Sequence, residues 1–187
     1  MRKFGLGVAT LLVAVAPASA EVFRTKVKES GVVTTFHSIS DDGCVETTGE
    51  LAAVKTNDGT QAIVSAHRAD YCAGADWFYL DGGPVTLSMH GLVSASLSGT
   101  LELVPYSGPD NTSLTLELDL TFQGTGPVNK QKDRYVSEGD GSTTVSFTRT
   151  RMREATASGS FTADGAAATM TSAQLAKVTS GELVIVH

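Results

Sequence analysis

The stretch GLVSASLSGTLELVPYSGPDNTSLTLELDLTFQGTG, residues 91–126, decides the fold class of this chain. Apolar and polar residues alternate over 93–103, with the apolar ones in odd positions, and again over 114–122, with the apolar ones in even positions. A period of two is typical of a β-strand with one buried and one exposed face. Folding the chain midway between the two strands places Leu103 opposite Leu116, and all the apolar side chains then share one face. Such a hairpin needs a second layer of sheet to cover it.

The rest of the chain predicts further short strands separated by turns. Five Asp-Gly dipeptides punctuate runs of period two, as in antiparallel all-β domains. Gly31 and Gly181 are predicted turn residues, and the polar residues 124–142 predict an exposed loop with a short strand near Tyr135 and Val136. We expect about nine to eleven strands in an antiparallel β-sandwich or, as the alternative, a closed or partly open β-barrel.

Cys44 and Cys72 are the only cysteines of the chain. The turn signal Asn-Asp-Gly at 57–59 predicts a hairpin in which Cys72 lies opposite Val45, so that a single bulge brings the two sulfur atoms together. The alternative is a metal-binding or redox pair, but no Cys-x-x-Cys spacing is present. We therefore predict a disulfide that staples the open end of this hairpin and contributes about 3–4 kcal/mol.

Residues 1–20 have the pattern of a secretory signal peptide. Arg2 and Lys3 precede an apolar run that ends in Ala-Ser-Ala, and the run is shorter than the roughly 20 residues of a membrane span. We expect cleavage before Glu21 and one all-β domain over residues 21–187, with no membrane span in it. The expected location is secreted: extracellular or, in a Gram-negative source, periplasmic.

The charge balance argues against a nucleic-acid partner. The chain has 14 basic and 20 acidic residues, and loss of Arg2 and Lys3 with the signal peptide changes the formal net charge from −6 to −8. A net negative protein is not attracted to nucleic acid or to an anionic membrane by its overall field, although a local basic patch retains that ability.

Arg149, Arg151 and Arg153 form the one constellation with a geometric reason to bind a ligand. Because they occupy alternate positions, their guanidinium groups project from one face of a strand, about 7 Å apart. Such groups bind phosphate, sulfate and carboxylate bidentately, which predicts an anion-binding site. The alternative is a charged strand face that only prevents aggregation.

Trp77 and Tyr79 are a candidate aromatic platform. Both rings project from the same face of a strand, a geometry suited to stacking on a sugar ring. The alternative is packing in the core, because large aromatic side chains dominate small cores.

Motifs for catalysis and for cofactor binding are absent from the sequence. It has no Gly-x-Ser-x-Gly elbow, no His-Glu-x-x-His, no phosphate loop and no dinucleotide fingerprint. The four histidines lie singly in different predicted strands, which does not favour a metal site. We therefore predict no catalytic residue, no metal ligand and no cofactor.

Four segments resemble an uncharacterised family of small exported bacterial proteins. They are DGCVET at 42–47, YCxG at 71–74, LTFxGTG at 120–126 and EAxASG at 154–159. The resemblance spans nearly the whole chain after residue 20. It implies secretion and a bacterial source, but no activity, ligand or catalytic residue.

These observations favour a secreted, non-catalytic binding or surface-interaction module, with an anionic polymer or a carbohydrate as the candidate partner. A secreted hydrolase of unknown substrate is the alternative, since carboxylates on neighbouring strands can pair in a cleft. A transmembrane barrel is the third class, and the few aromatic residues and the predicted disulfide disfavour it.

Overall fold

The structure, a computed structural model, describes residues 21–56, 58–139 and 141–186, and the predicted signal peptide lies outside them. The described residues form strands and no helix. None of them therefore belongs to a helix long and apolar enough to cross a bilayer. The strands are β1 Glu21–Ile39, β2 Val45–Lys55, β3 Thr60–Asp70, β4 Ala75–Pro84, β5 Thr86–His90, β6 Ser94–Leu103, β7 Pro105–Ser107, β8 Leu114–Gly124, β9 Asn129–Gly139, β10 Ser142–Ala163 and β11 Ala166–Val186.

All eleven strands belong to one antiparallel sheet that folds into two facing layers and does not close into a barrel. The first layer holds β11, β1, β2, β3, β4 and β7, and the second holds β5, β6, β8 and the end of β10. The chain passes between the layers in β10, where residues 142–154 pair with β11 and residues 155–163 pair with β8. Phe36 of the first layer meets Phe161 of the second, with ring centroids 4.8 Å apart. The predicted antiparallel sandwich and its strand number are confirmed.

The hairpin of β6 and β8 forms the apolar floor of the second layer, as predicted. Its register differs by two positions, because Leu103 lies opposite Leu114 and not opposite Leu116. The chain leaves β6 directly after Leu103 to form β7 along β4, and ten residues connect Leu103 to its partner where the expected register has twelve. A shift of two residues keeps every side chain on its face. The buried set is Ala95, Leu97, Leu101, Leu103, Leu114, Leu116, Leu118, Leu120 and Phe122.

The predicted disulfide joins Cys44 to Cys72, with Cα atoms 5.3 Å apart. The β2–β3 hairpin contains no bulge, and its register differs by two positions from the expected one, because Lys55 pairs with Thr60 and not with Ala62. Val45 therefore lies opposite Asp70. Cys72 follows in the turn after β3, and the disulfide closes the end of the hairpin from that turn.

The two glycines predicted as turns lie inside long strands, so both of those predictions were wrong. β1 continues through Gly31, where a Cβ would collide with the carbonyl oxygen of Ala53 on β2. β11 continues through Gly181, where a Cβ would lie 2.8 Å from Cζ of Phe147. At these two positions the absence of a side chain on glycine allows a neighbouring backbone or ring to approach closely.

The predicted loop at 124–142 is also wrong for most of its length, because residues 129–139 form strand β9. This strand pairs with β10 over its whole length, and every one of its residues is exposed. A strand exposed on both faces has no apolar alternation, so its polar composition is like that of a loop.

Four strand segments extend beyond the sandwich as a single layer, which we call the arm. They are residues 21–30 of β1, all of β9, residues 142–153 of β10 and residues 177–186 of β11, in the order β9-β10-β11-β1. At about 3.4 Å per residue, the arm projects by roughly 30 Å. No other strand covers either face of it in the described part of the chain, where its two central strands are at most half-buried apart from Gly181.

Candidate anion-binding surface

The register of the arm brings basic residues of different strands onto one face. Residues directly opposite each other in an antiparallel pair share a face. Arg151 lies opposite Lys177 on one side and Lys130 on the other, and Arg149 lies opposite Lys132. Following the pairing across the sheet, we define the cationic face as Arg24, Lys26, Lys28, Lys55, Lys130, Lys132, Arg134, Arg149, Arg151, Arg153 and Lys177.

This face collects nearly all the positive charge after residue 20. Of the 14 basic residues in the sequence, Arg2 and Lys3 precede that point, and eleven of the other 12 lie on the cationic face. The twelfth is Arg68, which is paired with Asp164 at the other end of the sandwich, Nη1 to Oδ2 2.9 Å. A chain with a net negative charge therefore carries a strongly positive surface.

The cationic face continues the core-facing side of the first layer. Leu175 is buried against the second layer and pairs with Val32 on one side and with Arg153 on the other. Beyond this row the second layer ends, and the positions that would face it carry lysine and arginine. The same face of the first layer is therefore apolar where the second layer covers it and basic where the second layer has ended.

The acidic residues of these strands are sorted to the opposite face. Glu29, Asp133, Glu154 and Glu182 all lie there by the same pairing rule. Among the described acidic residues of the arm, only Glu138 shares the cationic face, at the far end of β9. The sheet therefore separates the two signs of charge across its thickness.

The cationic face lacks internal counterions. In the described chain, no carboxylate oxygen lies within ion-pairing distance of any of its eleven side chains. Like charges directly opposite each other across two strands destabilise a sheet. The protein therefore holds these charges together at a cost in stability.

An open groove of about 340 Å³ runs between β9 and β10 on the arm, lined by Lys130, Lys132, Arg149 and Arg151 together with Gln131 and Thr150. The Arg149 guanidinium lies 5.9 Å from the centre of the Phe147 ring, which itself packs over Gly181. The two arginines are exposed, so their donors are available to a ligand.

Arg153 has a different environment from the other two predicted arginines. It is half-buried at the base of the arm, and its Nε donates to the carbonyl oxygens of Gly126 and Thr125 at 3.0 and 3.3 Å. Its Nη1 donates to the carbonyl oxygen of Leu92 at 3.3 Å. Arg153 therefore fastens the arm to the second layer, while Arg149 and Arg151 remain free for binding.

Only three of the eleven basic residues, Arg149, Arg151 and Arg153, were predicted to share this face. The polar composition of residues 124–142 predicted a loop, and Gly31 predicted a turn, so the basic residues of β9 and β1 were not included. The signal was present in both segments as alternation, at positions 24, 26 and 28 and at positions 130, 132 and 134. Basic alternation is as good an indication of a strand as apolar alternation.

Trp77 and Tyr79, the candidate aromatic platform, lie in the core with 6% and 1% of their surface exposed. The indole Nε1 donates to Asp110 at 2.9 Å, and the phenol donates to the carbonyl oxygen of Thr112 at 2.9 Å. Rings in these positions stabilise the fold and cannot stack on a sugar. The platform interpretation is corrected, and the core-packing alternative holds.

A hydrogen-bonded cluster lies on the outer face of the first layer. Glu46 accepts a hydrogen bond from the hydroxyl of Tyr71 and lies 2.9 Å from His37 Nε2, while His67 Nε2 lies 2.8 Å from Asp76 Oδ1. The Tyr71 and His37 contacts lower the pKa of Glu46, opposite to the shift that a general acid needs. Among the described residues, no three metal-ligating side chains come together here or elsewhere.

No family model, curated protein or solved structure matches the chain. The resemblance to a family of exported bacterial proteins therefore stays a prediction. The geometry of the arm is what supports a function.

Proposed function

We propose that the protein is a non-catalytic binding module that holds a polyanion on the cationic face of its arm. The observation that carries this proposal is the collection of eleven basic side chains on one sheet face, none of which forms an ion pair with a described carboxylate. A secreted protein would meet such ligands as phosphate polymers or anionic polysaccharides.

The geometry suits a repeating anion. Basic side chains recur about 7 Å apart along a strand and about 5 Å apart between strands, so successive phosphate or sulfate groups can each find a cation. Arginine forks at positions 149 and 151 bind such groups bidentately, and the lysines around them contribute charge. Binding releases counterions, so the affinity must fall steeply as salt is added.

The test is retention on polyphosphate and on heparin resin at low salt. The test variant carries Lys132→Gln, Arg149→Gln and Arg151→Gln, and it leaves Arg153 in place because that side chain is structural. We expect the wild type to be retained and to elute with salt, and the test variant to pass through. The melting temperature of the variant should be equal to or higher than that of the wild type.

A matched control lowers the net charge by the same amount on the opposite face. It carries Asn129→Asp, Gln131→Glu and Ser137→Glu, all on exposed positions of β9. We expect this control to be retained on both resins. Failure of the wild type to bind at low salt, or equal loss in the two variants, would refute the proposal, because net charge and not the face would then govern retention.

A further inference from the structure

The far end of the arm carries apolar side chains on both of its faces. On the cationic face, Val22 pairs with Ile185 in a row that ends at Glu138 on the edge strand, and the next row holds Leu183, Val145 and Val136 beside Arg24. Phe23 and Val186 lie on the opposite face of the same end. Phe23 is 52% exposed and Val22 is 48% exposed, which is unusual for large apolar side chains so close together.

An end that is apolar on both faces needs a medium that surrounds it. A second sheet or another copy of the chain, stacked face to face, would cover one side and leave the other in water. The interface of a lipid bilayer covers both sides at once. The apolar residues at 22–23 and 183–186 span a depth of roughly 10 Å, which matches the depth at which interfacial segments bury their apolar side chains.

The basic residues begin in the second row of this end. Arg24 lies there opposite Leu183, and Lys26 and Lys28 continue along the same strand in steps of about 7 Å. Together with β9 and β10 they make an array four strands wide, which fits an extended anionic surface better than a single narrow chain. Glu138, the one described acid on this face, lies on the exposed edge strand.

We propose that the arm docks on an anionic lipid surface, with its apolar end in the bilayer interface and its cationic face against the headgroup phosphates. This inference rests on the proposed polyanion binding and narrows the ligand to a lipid surface. Attraction to the headgroups is worth about fivefold in affinity for each basic residue near the surface. Insertion of the end then converts an electrostatic encounter into stable attachment.

The experiment uses the mature chain with phosphatidylglycerol vesicles, phosphatidylcholine vesicles and soluble polyphosphate. We expect binding to the anionic vesicles and to polyphosphate, and none to phosphatidylcholine. The variant Val22→Ser with Phe23→Ser removes two exposed side chains and should weaken vesicle binding by about tenfold or more. Its binding to polyphosphate should stay at the wild-type level, which also shows that the cationic face is intact.

A second variant, Phe23→Trp, reports insertion directly. Its fluorescence should shift to shorter wavelength with anionic vesicles, against a constant background from buried Trp77. An unshifted spectrum overturns the inference, as does a serine variant that binds vesicles as well as the wild type.

The two proposals fail separately. A wild type that binds polyphosphate but no anionic vesicles overturns the lipid inference and leaves polyanion binding in place, while binding to neither ligand overturns both. Sedimentation of the protein without lipid tests whether a second copy of the chain, and not lipid, covers the end of the arm. A dimer that dissociates in the Val22→Ser, Phe23→Ser variant would show that a second copy covers the end of the arm, and would overturn docking on lipid.

Discussion

Replacing Arg151 by glutamine should stabilise the free protein while weakening its binding to anions. Arg151 lies in a row of three like charges, between Lys177 on β11 and Lys130 on β9. No described carboxylate pairs with any of the three. Its side chain is exposed and donates no hydrogen bond to a side chain or backbone among the described residues, so the change removes repulsion without removing a known contact.

The size of the effect follows from the row. Directly opposite Cβ atoms lie about 5 Å apart, and like charges at the ends of long side chains spread to about 7 Å, where two unit charges in water repel by about 0.6 kcal/mol. Removing two such repulsions stabilises the fold by about 1 kcal/mol at low salt, which corresponds to about 2–4 °C in the melting temperature of a domain of this size. At about 1 M salt the Debye length is about 3 Å, so the gain should nearly vanish.

Thermal melts at low and high salt measure this directly. Lys55→Gln is the matched control, since it removes the same charge from the same face but has Ser30 and Thr60 directly opposite. We expect no shift in the control and a salt-sensitive rise in the Arg151→Gln protein. A fall in the melting temperature, or a rise that persists at high salt, would refute repulsion within the row as the cause.

Three further predictions test the fold, the maturation and the pH dependence. Leu118→Asp should unfold the domain and Asp119→Leu should leave it folded. Leu118 is 5% exposed in the core and Asp119 faces water, and an unpaired buried carboxylate costs several kcal/mol. Equal damage in thermal melts of the two variants would mean that β8 is buried on both faces. The mature protein should begin at Glu21 and carry no free thiol, and intact-mass measurement with and without alkylation checks both, since a retained apolar leader or two alkyl groups added without reduction would contradict it. Hydrogen bonds from the Thr112 hydroxyl and an indole N–H lower the pKa of Asp110 below its ordinary value of 3.8, so their contribution to stability is complete above that pH and is lost as the pH falls below it. Asp110→Asn should therefore melt below the wild type at neutral pH, the difference should shrink as the pH falls below 3.8, and a constant difference would contradict this assignment.

The sequence predicted the sandwich well, because the sandwich has one buried face per strand. Alternation between positions 93 and 122 identified the β6–β8 hairpin and the buried side of both strands, and the cysteine pair was identified from its spacing. The registers were each off by two residues. In both hairpins the chain folds back one residue earlier than expected, and composition does not fix the fold point of a turn to a single residue.

The arm was not predicted, because apolar–polar alternation identifies only strands that have one buried face. Its strands are exposed on both sides, so β9 is polar throughout, and its glycines permit close contacts inside strands. The arginine stripe on β10 lies on the face where the other basic residues collect. The extent of the cationic face depends on which strands lie beside β10. The order of strands in a sheet is a property of the whole topology and cannot be read from any one segment.

The pairing of β1 with β11 places residues 21–38 beside residues 168–186 in the middle of the sheet. Contacts between distant parts of a chain form slowly, because a long loop must close before they can stabilise anything. Neither the first layer nor the arm can be completed until residues 166–186 are available, so β1 has to wait for its partner strand during folding. A chain that lacks residues 177–186 would lose the strand that joins β1 to β10, and the arm would separate into two parts.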